Sequence, residues 1–339
     1  MTLLHSLRMP ACAALALAAA CSVVLDPHSG EWLSPIARDH PLAGVIWDAA
    51  ARRPLARAAL MERLAGSQVV LLGDKHDNPD HHRLQAEIVA ALIPRRRPAV
   101  VFEPISLDRR LALATALADP APSAEQVIDA VTHDEQGWDW KLYEPIVDLA
   151  LRVGLPIVAG DLDPAWVRAM RRAGLQALDG ALIERLGLNE PLLGPAARAA
   201  IAAEIRRDHC GHAPEAMLDR LVDMQRARDA QLGRALVDAL TAGSDGAVLI
   251  AGVGHVHRDL AVPLDLGRWA PAATLASVAF TEVPPGRTDA DAGAVLAEEF
   301  GEDIPFDYVW FTPRVDLTDP CEQFRSQLER MHSGHARTP

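Results

Sequence analysis

Val69-Val70-Leu71-Leu72-Gly73-Asp74-Lys75-His76-Asp77-Asn78-Pro79-Asp80-His81-His82 is the stretch whose reading decides the fold. Four consecutive apolar residues, two of them β-branched, predict a buried strand that ends at Gly73. Asn78-Pro79 then opens a helix, because asparagine suits the N-cap and proline at the first helical position gives up no needed N–H. The loop between them lies at the carboxyl end of a strand, where open α/β sheets bind their ligands. Asp74, His76, Asp77, Asp80, His81 and His82 crowd that loop and the first helical turn, which marks it as a candidate site.

The same alternation continues outward. Leu84, Ile88, Ala91 and Leu92 give a helix over about 79–93 its apolar face. Ala99 to Phe102 forms a second strand ending at Glu103-Pro104, and Pro156 to Ala159 a third ending at Gly160-Asp161. Gly246 to Gly252 is a fourth, emptying into Gly254-His255. Leu275 to Val283 and Tyr308 to Phe311 supply two late strands. Ser123 with Gln126 reads as a capping box opening a short helix. Arg53 to Ala65 has helical periodicity, and Arg95-Arg96-Arg97 between two prolines reads as a solvated turn. Strands alternating with helices predict an α/β fold with a mainly parallel sheet flanked by helices. The strand-free run 163–242 predicts a helical insertion or cap. The α/β domain is then 44–162 with 243–315, and 331–339 is expected to be a disordered tail.

The chain has 339 residues, 50% hydrophobic and 23% charged, with a formal charge of −13 that argues against nucleic acid as a partner. Residues 1–20 read as an export signal with an apolar run, Ala11 to Ala20, too short to span a bilayer. Leu17-Ala18-Ala19-Ala20-Cys21 looks like a bacterial lipoprotein signal with Cys21 as the lipidated residue. The alternative is an ordinary secretory signal with an incidental cysteine. Residues 21–43 read as a tether. Ser22 lacks the aspartate that commonly retains lipoproteins in the inner membrane, so the expected location is the periplasmic face of the outer membrane. Cys210 and Cys321 remain as a candidate disulfide whose proximity the sequence leaves open. Neither sits in a CxxC or CxxCH motif, so thiolate zinc and covalently attached haem find no support.

Imidazoles and carboxylates gathered on one rim can bind a metal, run acid/base catalysis or surround a cofactor. Asp74, His76, Glu103, Asp161 and His255 make a reasonable hard-metal or general-base set. No His-Glu-x-x-His, dinucleotide fingerprint, phosphate loop or Gly-x-Ser-x-Gly elbow occurs.

These motifs together resemble the ChaN-like haem-binding lipoproteins. The resemblance rests on Gly-Asp-Lys-His-Asp-Asn-Pro-Asp-His-His with Gln85, Val-Phe-Glu-Pro at 101–104, Trp-x-x-Tyr-x-Pro at 140–145, and Gly-x-Gly-His-Val-x-Arg-Asp-Leu at 252–260. His209-Cys210-Gly211-His212 and the 224–229 segment also fit, so it covers about 44–285. More distantly the chain is similar to the erythromycin-esterase-like group. Two positions depart from the pattern: Asp74 replaces a glutamate, and Val253 replaces an asparagine.

The resemblance implies haem bound at the interface of a homodimer in bacterial iron uptake, with a tyrosinate on the iron and an outer-membrane haem or iron receptor as partner. Tyr143 is the expected ligand, since phenolate is a hard donor for ferric iron. Trp138 and Trp140 are expected against a porphyrin face. His209 and His212 are candidate second ligands, His76, His81 and His255 tuning groups, and Arg226 and Arg228 candidate propionate partners. The competing expectation is a metal-assisted or acid/base hydrolase using Asp74, His76, Glu103 and His255.

Overall fold

The structure is a computed structural model that describes residues 32–132, 137–190, 192–208, 210–288, 291–318, 321–322 and 325. The signal segment, Cys21, His209 and the tail 331–339 lie outside the described residues.

Eight strands form one sheet: β1 (Ile46–Asp48), β2 (Arg53–Leu55), β3 (Val69–Asp74), β4 (Ala99–Ser106), β5 (Ile157–Asp161), β6 (Ala247–Gly252), β7 (Leu275–Glu282) and β8 (Tyr308–Thr312). Their order is β2-β1-β8-β7-β3-β6-β4-β5. The pairs from β8 to β5 are parallel, while β1 runs antiparallel to both β2 and β8. The helices are α1 (Arg57–Gly66), α2 (Pro79–Leu92), α3 (Arg110–Leu117), α4 (Ala124–Val131), α5 (Trp140–Val153), α6 (Pro164–Ala173), α7 (Gly180–Arg185), α8 (Pro195–Asp208), α9 (Leu218–Thr241), α10 (Val262–Trp269) and α11 (Ala292–Phe300).

The quoted stretch is the centre of the sheet. Every residue of β3 is buried. Val70 and Leu72 belong to the core layer shared with α2 and α5, whereas Val69 and Leu71 belong to the opposite layer with Leu232 and Leu236 of α9. A parallel strand covered on both faces must be apolar at every position, which is why it reads as a continuous run and not as an alternation. Asn78 caps α2 as expected, its side chain accepting from the Asp80 and His81 N–H groups. The Ser123–Gln126 capping box is also formed.

Four expectations change. The tether ends earlier than expected, because from residue 32 the chain lies on the fold: Leu42 is buried, and Ser34 donates its backbone N–H to Asp80 and its hydroxyl to Asn78. The helix expected from Arg53 begins as strand β2, where Pro54 stands on the sheet edge and needs no ladder donor. The helical run 163–242 is not all cap, since Leu232, Ala235 and Leu236 of α9 pack on the sheet. The arginine turn is tied down, with Arg96 donating to the Leu64 carbonyl and Arg97 to those of Val153 and Gly154. Cys210 and Cys321 form a disulfide with Cα atoms 5.3 Å apart. Among the described residues no helix is long and apolar enough to cross a membrane.

Candidate functional site

The carboxyl ends of β3, β4, β5 and β6 deliver Asp74, Glu103, Asp161 and Gly252 to one rim. The β4–β5 register shifts between Phe102 and Ser106, around Pro104. That proline has no N–H for the ladder, so the strand departs from regular pairing beside Glu103.

Two imidazole–carboxylate pairs face each other there. His76 Nδ1 donates to Asp74 Oδ1 at 2.7 Å, and Gln85 holds the other oxygen of Asp74 at 2.7 Å. His255 Nδ1 donates to Asp229 Oδ1 at 2.6 Å, while its Nε2 stands 3.3 Å from Glu103 Oε1. Glu103 also accepts the Gly252 N–H at 2.7 Å and Arg228 at 2.7 Å. Arg228 continues to Asp161 through contacts of 2.6–3.1 Å. Gly252 must be glycine for room: a Cβ would stand 2.8 Å from His76 Cε1 and 3.0 Å from Nε2. Above this network lies a cavity of about 430 Å³, lined by Asp74, His76, Glu103, Arg228, Asp229 and His255 and flanked by Ile201, Glu204 and Ile205 of α8.

Charge follows from the pairing. Burial opposes a charged His255, but Glu103 and Asp229 outweigh it and push this imidazole up to about 10. Burial likewise opposes His76, and the Asp74 hydrogen bond with the charges of Glu103 and Asp74 still raises it. Burial acts against the Glu103 carboxylate too, yet His255 and Arg228 hold it well below the usual range. A folded-state value above the unfolded one stabilises the protein below the unfolded value and is lost as pH rises through the folded one. Stability is thus expected to fall between pH 6.5 and about 10, by on the order of a few kcal/mol. Urea midpoints at pH 7 and pH 9 check this. The slope should flatten in His255→Gln, and an equal slope in both proteins would sink the assignment.

The other expected residues fall elsewhere. His81 is scaffold, its Nδ1 accepting from the Lys75 N–H and its Nε2 bonded to Thr312 Oγ1. Burial drives it well below the ordinary histidine range, so it stays neutral. His82 is also enclosed, bonded to Gln85 Oε1 and the His76 carbonyl. Asp80 holds the backbone of Leu33 and Ser34. His212 is exposed on the turn after α8, away from the cavity lining. Arg226 and Arg228 are not on a solvated face. Arg226 binds Asp265 through two contacts of 2.6 Å, and Arg228 is already committed to Asp161 and Glu103.

Tyr143 is buried at 1% exposure on the α5 side of the sheet, not in the cavity. Its ring lies 4.2 Å from His82, 5.7 Å from Trp140 and 6.0 Å from Trp138. Its hydroxyl is a buried polar atom without a hydrogen-bond partner among the described residues. Burial, reinforced by the charges of Asp74 and Glu103, pushes the phenol far above its ordinary range. Among the described residues no three histidine, cysteine, aspartate or glutamate side chains converge on one metal position. The carboxylates and imidazoles expected as a hard-metal set are joined to one another and to Arg228 by ion pairs.

Asp229 and Gln225 were not foreseen as site residues, although Gln225, Arg228 and Asp229 stand at i, i+3 and i+4 on α9. Ile201, Glu204 and Ile205 repeat that spacing on α8. Polar residues at helical spacing within an otherwise apolar face were the available signal.

The fold and rim define an α/β protein whose parallel sheet carries an imidazole–carboxylate network at its carboxyl edge beside a buried tyrosine. The family described as haem-binding uptake, Tiki superfamily, ChaN matches residues 60–266, and the chain belongs to it. Among solved structures it is similar to ChaN of Campylobacter jejuni, described as binding haem cofacially. That likeness has 21% identity and a TM-score of 0.61, covering 78% of this chain and 95% of that one. An erythromycin esterase mutant, EreC, in its open conformation is 12% identical with a TM-score of 0.44, over 81% and 99% of the two chains. The type III effector HopBA1 is 15% identical with a TM-score of 0.40, over 76% and 92%. Comparison with curated proteins gives no match.

Proposed function

We propose that this chain binds ferric haem through Tyr143, as an exported and lipid-anchored homodimer serving bacterial iron uptake. Membership of a haem-binding family supports the ligand. The observation that carries the residue is the Tyr143 hydroxyl, buried among Trp138, Trp140 and His82 with no hydrogen-bond partner among the described residues. A buried donor left unsatisfied is costly, and a hard oxygen kept in an aromatic cage suits a ferric ligand. Bound haem would supply a Lewis-acidic iron, and Tyr143 would hold it as phenolate after losing its proton. The Cys210–Cys321 disulfide fits an oxidising compartment, which supports export. Anchoring at Cys21 on the outer membrane rests on the lipoprotein-type signal and on Ser22, and dimerisation and a receptor partner rest on the family resemblance.

Haemin titration of the full chain, followed by absorption, tests this. Tyr143→Phe is expected to weaken binding by about a hundredfold and to remove the phenolate charge-transfer band. Equal affinity and an unchanged spectrum would overturn Tyr143 as the ligand.

One observation favours a second reading, acid/base hydrolysis: the cavity holds a half-exposed His76 oriented by Asp74, opposite His255 and Glu103. Such a pair is built like a general base with its orienting carboxylate. An ester screen would show activity that survives Tyr143→Phe and disappears in His76→Ala.

A further inference from the structure

We propose that Trp138 and His76 form a cover over the Tyr143 hydroxyl, and that haem reaches this oxygen only when Trp138 turns aside. The inference rests on Tyr143 being the iron ligand. Three rings wall off the phenol, and they differ in how firmly they are held. His82 is 1% exposed and has both ring nitrogens bonded. Trp140 is 9% exposed on the first turn of α5. Trp138 is half-buried and precedes the helix, its carbonyl accepting the Trp140 N–H at 3.1 Å. It stands edge-on to Tyr143 at 6.0 Å and is backed on its other side by the His76 ring at 4.5 Å, with an interplanar angle of 74°. The His76 side chain is itself 45% exposed. Of the three rings, Trp138 is the one left partly exposed.

The backbone permits the movement. Gly137, directly before Trp138, has φ +67, a conformation side chains rarely adopt, and nothing lies within 4 Å of where its Cβ would stand. Among the described residues the closed state also leaves the Tyr143 hydroxyl without a hydrogen-bond partner, a cost of about 1–3 kcal/mol that water would relieve on opening. Closed and open arrangements are thereby brought near one another in energy, as an access step requires.

Two measurements on the full chain test the cover. Tetranitromethane nitration, mapped by peptide mass without haem, compares Tyr143 with the half-buried Tyr308 as internal reference. Native Tyr143 is expected to be protected. Trp138→Ala should nitrate it at least about tenfold faster with Tyr308 unchanged, while Trp138→Phe should keep protection. In stopped flow with haemin, the native rate is expected to level off as haemin rises, and Trp138→Ala to remain linear. Native nitration of Tyr143 at the rate of Tyr308, or identical linear kinetics in both proteins, would overturn the proposal. Undiminished haemin affinity in Tyr143→Phe would instead overturn the ligand assignment, with nitration still reporting on the cover.

Discussion

Replacing Arg228 with methionine is expected to destabilise the protein by about 3–5 kcal/mol. The guanidinium bridges Asp161 and Glu103, and its charge is held firmly because both carboxylates outweigh the cost of burial. Methionine fills part of the volume but strands two negative groups, of which Glu103 is almost fully buried. Removing one partner of a buried pair costs far more than the pair contributes, because the remaining charge is left without compensation. Urea unfolding at pH 7 measures the loss. Adding Glu103→Gln to the Arg228→Met background should recover part of it, since one stranded charge is then removed. Strictly additive losses would show that the two groups are not coupled.

Reducing the Cys210–Cys321 disulfide is expected to lower stability by about 2–5 kcal/mol. The bond closes a loop with a sequence separation of 111, long enough that an uncrosslinked unfolded chain gains considerable freedom. Cys210 lies just beyond α8, whose Ile201, Glu204 and Ile205 flank the rim cavity. The helix also packs through Ile201 in a small apolar cluster with Leu193 and Val222 and is tied by the Arg198–Asp223 and Arg206–Glu215 pairs. Thermal unfolding with and without reductant, beside a Cys210→Ser and Cys321→Ser double variant, checks the figure. Amide exchange along α8 should quicken in the same samples. Coincident melting curves would mean that the link leaves stability untouched.

The sheet was largely legible because strands covered on both faces must be apolar throughout, and β3, β4 and β6 announce themselves that way. Strands β1 and β2 were not, since each has three residues and the Arg53-Pro54 pair carries no period-two signal. The rim was legible in its strand-end residues. What the sequence could not divide was labour within the Asp74–His82 stretch. Only Asp74, Lys75 and His76 of it line the rim cavity, while Asn78, Asp80, His81 and His82 are used up in capping α2 and in fastening the N-terminal segment, β8 and the rim loop. Polar groups dense enough to suggest a site are also what a buried loop needs to satisfy its backbone. Arg226 and Arg228 were misplaced for the same reason, because their partners Asp265, Glu103 and Asp161 lie far away in sequence.

The central position of β3 has a consequence for how the chain acquires its fold. Its two neighbours are β6 and β7, which end at Gly252 and Glu282. Until the first of them is present in the compartment where the chain folds, β3 has no hydrogen-bonding partner, and only β4 with β5 can form a parallel pair. Long-range pairing of this kind makes folding slow and leaves an adhesive strand waiting. The residue run that organises the site waits for β6, and a chain cut short of Gly252 would carry Asp74, Glu103 and Asp161 without the strand that leads to His255.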